Sequence, residues 1–176
     1  MASGWPRVVF SRGGEVLRRL GDRRAGGRVV MCVGLSERGL DSVGEVTAVV
    51  GSGSGVVSEK GQPVCEIRWQ GVVDSSADEM YHSLFRYESN GVRQMRLPFA
   101  CRLLELNPSL VSEPDGPGIL DADREGGGWV CRVEAEEADV ARAVEGGELL
   151  RREEYEAAVQ AEDTAGLADD AARLQY

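Results

Sequence analysis

Histidine and lysine are almost missing from this chain. Among its 176 residues there is one histidine, His82, and one lysine, Lys60; every other basic residue is arginine. A single imidazole leaves little material for acid–base or metal chemistry at neutral pH. Close cysteine pairs are missing as well. Cys32, Cys65, Cys101 and Cys131 each stand alone among apolar neighbours, without the paired spacing by which one turn presents two thiolates to a metal ion. They read as small buried hydrophobes, so no metal, cofactor or catalytic residue is expected. The longest unbroken apolar run, Val29 to Val33, is far short of the roughly 20 residues of a membrane-spanning helix, so no membrane partner is expected. No secretory signal pattern is visible, which makes a reducing, cytoplasmic setting the expectation.

Hydrophobic residues make up 42% of the chain, enough for a real core, and a mass of 19.0 kDa suits one domain with an appendage or two small ones. The net charge is −10, and it is unevenly placed. Residues 1–30 hold seven arginines against two acids, whereas residues 113–176 hold six arginines against eighteen acids. The preference for arginine has two readings: GC-rich coding, or a surface built for planar, bidentate pairing with carboxylates. A chain that runs from basic head to acidic tail suits docking on protein partners at both ends. Its overall acidity argues against nucleic acid, which needs a basic stripe.

Along the chain, residues 1–27 read as a basic arm in which Glu15 to Leu20 could form a short amphipathic helix. That helix would carry Arg18, Arg19, Arg23 and Arg24 toward an acidic partner or, alternatively, fold them back on the protein's own acids. The same arginines resemble a mitochondrial presequence in charge, which keeps organelle import as a second localisation. Residues 28–106 carry β-type apolar runs at 28–33, 44–50, 64–69, 84–87, 92–97 and 99–106, alternating at 44–50 and 64–69, separated by turn residues and without long helices between them. Asn90-Gly91 is the strongest hairpin signal. The pattern predicts a small antiparallel barrel with Trp69 in its core and Tyr81 and Tyr87 at its rim, where they could read a peptide. Residues 107–128, rich in Pro and Gly, read as a linker, and 129–176 as an acidic helical segment broken near Gly146-Gly147 and Thr164 to Gly166. The fold class is therefore mainly β with an α-helical tail.

Two resemblances accompany this reading. Gly27-Arg28-Val29-Val30, Gly44-Glu45-Val46 and Val64-Cys65-Glu66-Ile67-Arg68-Trp69-Gln70-Gly71, followed by Tyr81 and Leu97, resemble an SH3-like barrel of the Mind-bomb/Herc type. That likeness implies a peptide-binding module of a ubiquitin-ligase system. Ala158-Val159-Gln160-Ala161-Glu162-Asp163, Leu167-Ala168 and Leu174 resemble a UVR helical hairpin, which implies protein contacts at the tail.

Together these features predict a non-enzymatic structural or adaptor subunit that meets partners through Arg18, Arg19, Arg23, Arg24, Tyr81 and Tyr87. The expected setting is a large assembly, either a cytoskeletal lattice such as axonemal microtubules of a cilium or a ribosome-like particle. The peptide-reading module is the alternative. A small enzyme using His82, with Asp78, Glu79 and Ser83 beside it in sequence, is a third.

Overall fold

The computed structural model describes residues 4–24, 26–53, 55–74 and 86–174. The elements run β1 (Val8–Ser11), β2 (Glu15–Arg24), β3 (Arg28–Leu35), α1 (Glu37–Leu40), β4 (Glu45–Gly51), β5 (Val57–Ser58), β6 (Pro63–Asp74), β7 (Arg86–Arg96), β8 (Cys101–Leu106), α2 (Pro108–Ser112), β9 (Cys131–Glu136), α3 (Glu137–Glu145), β10 (Leu149–Leu150) and α4 (Arg152–Leu174). They form a seven-stranded sheet in the order β10-β1-β2-β3-β9-β8-β5 and a three-stranded sheet in the order β4-β6-β7. Every strand pair is antiparallel. The main core is filled from both sheets, with Leu17, Met31, Val33 and Val133 from the first and Val49, Ile67 and Met95 from the second. No helix among the described residues is long and apolar enough to cross a membrane.

The mainly β character with helices toward the end agrees with the sequence, but the element boundaries do not. The segment read as an arm with a short helix is a strand. Val16, Leu17 and Arg18 are all buried, and β2 lies between β1 and β3 with Leu17 opposite both Val9 and Val33. A solitary amphipathic turn exposes one face; here two neighbouring strands and a covering loop bury both faces, which favours the extended form. The expected span 28–106 also proves too short for the sheet. β9, placed in the helical segment by sequence, sits between β3 and β8, and β1, β2 and β10 extend the same sheet.

Residues 107–128 are packed rather than linking. Asn107 caps α2 by accepting from the Ser109 amide at 3.0 Å, and its side-chain amide donates to the Trp129 carbonyl at 2.8 Å. Leu110, Ile119 and Ala122 are buried. Gly166 does not interrupt α4, which continues to Leu174. Its first turns bind the sheet through Tyr155, whose ring stacks on Phe10 at 4.5 Å and whose hydroxyl hydrogen-bonds Ser36 Oγ at 2.7 Å.

Asn90-Gly91 is not a hairpin tip. It lies inside β7, with Asn90 opposite Gln70 and Gly91 opposite Trp69, and the β6–β7 connection falls in residues 75–85, outside the described residues. Gly91 serves close approach instead. The Trp69 indole occupies the place where a Cβ at 91 would stand, and it would also lie 2.7 Å from a Cβ at Gly44. The indole thus lies across all three strands of the smaller sheet. It is half-buried there, not fully in the core as the alternation suggested.

Candidate functional site

The turn between β1 and β2 carries a buried, bonded carboxylate. Glu15, only 4% exposed, accepts a hydrogen bond from Ser11 Oγ, while Ser11 Oγ accepts from the Glu15 amide at 3.0 Å. Arg93, on β7 of the other sheet, brings a guanidinium nitrogen to 3.3 Å from Glu15 and donates to the Gly13 carbonyl. Gly14 makes the turn possible. It has φ +94°, and a Cβ there would stand 2.9 Å from the Gly39 Cα. A buried carboxylate is tolerated only when paired and hydrogen-bonded, and both conditions are met here. The effect is to lock the hairpin of one sheet to a strand of the other.

An open cleft of about 620 Å³ lies against this turn, bounded by Arg96 to Pro98 and by Gly146 to Glu148. Arg12 lines it, donating Nε–H to the Gly147 carbonyl at 3.0 Å. Arg96 faces it from β7, donating to the Gly61 carbonyl at 2.6 Å and to the Gln94 side chain. At the rim, Lys60 pairs with Glu148 at 2.9 Å. A second hollow of about 210 Å³ shares Arg12, Gly13 and Arg93 and runs under α4 beside Tyr155 and Glu162. Arg38 lines it and is held protonated by its hydrogen bond to Asp163 at 2.6 Å and by the charge of that carboxylate.

The charges in the larger cleft do not cancel. Glu15 balances Arg93, and Lys60 balances Glu148, whereas Arg12 and Arg96 hydrogen-bond only neutral acceptors among the described residues. The Arg93 Nε is buried without an acceptor among the described residues. The arrangement therefore offers planar donors suited to carboxylate groups.

Of the residues expected to form the site, Arg18 and Arg19 have side chains among the described residues, and both stand elsewhere. Arg18 is 7% exposed and donates to the carbonyls of Ala122 (3.4 Å), Arg124 and Gly127 (3.3 Å). It holds the 121–128 loop onto the sheet. Arg19 is half-buried with its guanidinium 4.5 Å from the centroid of the Trp5 ring. Arg23 and Arg24 end β2, where Arg24 pairs with Arg28, so the four arginines do not form a helical face. Tyr87 lies in β7 opposite Val73, while Tyr81 and His82 lie outside the described residues. Arg12, Glu15, Arg93 and Arg96 were missed by sequence reasoning. The available signal was Ser11 and Glu15 bracketing Gly13-Gly14, a turn composition. Arg93, eighty residues away, gave none.

The four cysteines are buried, in keeping with their apolar neighbours. Cys65 donates a weak hydrogen bond to Cys131 at 3.8 Å, and this contact, with burial, pushes the Cys131 thiol well above its usual range. Burial pushes Cys101 up to about 12. No group of three or more His, Cys, Asp or Glu side chains that could hold a metal ion occurs among the described residues.

No family model matches the chain. In fold, it is similar to the crystal structure of a glycine cleavage system H protein from Mycobacterium marinum. The TM-score is 0.52 and the identity 18%, over 88% of this chain and 95% of that one. The likeness is one of architecture: a small, mainly antiparallel β-fold with helices.

Proposed function

We propose that the chain is a non-enzymatic subunit that docks on protein partners in a larger assembly, using the arginine-lined cleft beside the β1–β2 turn. The carrying observation is the pair Arg12 and Arg96, whose charges have no carboxylate partner among the described residues, set on a framework locked by Glu15 and Arg93. Rigid presentation reduces the ordering that binding must cost. The fold likeness to a protein named as one component of a glycine cleavage system is in keeping with a component role. Rate-zonal sedimentation of native extracts tests the reading. The protein should travel with particles far larger than 19.0 kDa at low salt and leave them at high salt. Migration as a free chain at both salts would contradict it.

A second reading has one observation in its favour. Trp69 lies half-exposed across the glycine-bordered face of the smaller sheet, where most of the SH3-like motif residues gather. An aromatic ring so placed could hold a peptide, as in a module reading short peptides. Saturable peptide binding lost on Trp69→Leu would favour this reading over the cleft.

A further inference from the structure

We infer that the occupant of the cleft is a short, extended acidic segment of a partner protein, one that places two carboxylates against Arg12 and Arg96. The inference rests on the docking reading above and specifies its chemistry. A cleft of about 620 Å³, open to solvent, has room for a few extended residues. Its two uncompensated guanidinium groups come from different walls, Arg12 from the β1–β2 turn and Arg96 from the end of β7. One carboxylate cannot balance both. A segment with two acids can, and each guanidinium keeps N–H groups that bind no acceptor among the described residues.

The chain's net charge of −10 does not forbid this. At physiological ionic strength charges are screened over about 8 Å, so a ligand inside the cleft responds to its walls more than to distant acids. Nucleic acid is a poorer fit, because two local cations do not make the basic stripe that a phosphate backbone follows. The neighbouring acids set a limit on the ligand. Glu15 is already satisfied by Ser11 and Arg93, and Glu148 by Lys60, so neither competes directly for the two open arginines.

Fluorescence anisotropy with a fluorescein-labelled peptide of three consecutive glutamates flanked by glycines provides the test, using the full chain. The same peptide with glutamines serves as the reference probe. The expected result is saturable binding of the glutamate peptide, at least tenfold weaker for the glutamine peptide. It should also be at least tenfold weaker for the Arg12→Gln/Arg96→Gln variant. An Arg102→Gln/Arg142→Gln variant loses the same charge outside the cleft and should bind as the parent does. Equal binding of both peptides, or an unchanged affinity in the cleft variant, overturns the inference. Equal losses in both double variants reduce the effect to net charge and overturn it too. Free phosphate at millimolar concentration displacing the peptide completely would assign the site to a small anion instead. If the glutamate peptide fails to bind while the cleft variant still leaves its native particle, docking stands and the acidic ligand is wrong. If the protein never enters a particle, the docking reading fails independently of the peptide result.

Discussion

The outer side of the seven-stranded sheet and the cleft at its hairpin turn both rely on arginine, and they use it in opposite ways. Arg18 spends its guanidinium on three loop carbonyls, with almost none of it left in contact with water. Arg12, six residues earlier in the same hairpin, makes one hydrogen bond to a carbonyl and keeps the rest of its donors open. The difference follows from what covers each position. The 121–128 loop closes over Arg18 and is itself pinned by Arg152, which binds Asp123 through both its carboxylate and its carbonyl at 2.9 Å. Nothing comparable closes over Arg12 among the described residues. Charge along the sequence therefore says little about which arginines hold the fold and which meet a ligand; backbone carbonyls nearby decide it.

The comparison can be broken first at its buried end. Replacing Arg18 with methionine leaves up to three carbonyls without their charged donor. It should cost about 2–3 kcal/mol of stability in urea unfolding. A loss within about 0.5 kcal/mol would place Arg18 among ordinary surface residues. The smaller sheet gives the next largest effect. Gly91→Ala forces a methyl group into the Trp69 ring and should cost about 1–3 kcal/mol. In a Trp69→Val background the same change should cost much less, and an equal cost in both backgrounds would show that the indole is not the cause.

The buried thiols sharpen the same contrast by pH. Cys101 ionises at about 12 in the folded protein, against an ordinary value of 9.0. A thiol whose folded pKa is raised contributes stability fully below the ordinary value and loses it as pH climbs toward the folded one. Stability should begin to fall near pH 9 and drop by at least about 1 kcal/mol by pH 10, the raised Cys131 thiol adding to the loss. A flat profile between pH 8 and 10 would contradict the burial of Cys101.

The sequence made parts of this structure legible. The apolar runs at 28–33, 44–50 and 99–106 correspond to β3, β4 and β8, because short apolar runs bounded by turn residues are written locally. The burial of the four cysteines was legible for the same reason: each sits among apolar neighbours. Asn90-Gly91 misled because glycine has two uses, and the second, close approach of Trp69, depends on a residue 22 positions earlier. Glu15 to Leu20 misled because a strand buried on both faces loses the alternation that marks a half-buried one. The candidate site was the least legible part. It joins residues 11–15, 93–96 and 146–148, and only the pairing of two sheets brings those together.

The smallest stability effect is expected at the open arginines, and it carries the most weight. Arg12→Gln with Arg96→Gln should change unfolding free energy by no more than about 1 kcal/mol, since exposed charges contribute little to folding. The decisive measurement is the share of this variant that remains in the large-particle fraction of cells producing it, read beside its thermal unfolding. The account predicts a folded protein that has left the particle, while Arg18→Met, though less stable, remains bound wherever it is folded. A folded Arg12→Gln/Arg96→Gln protein still held in the particle would contradict the account.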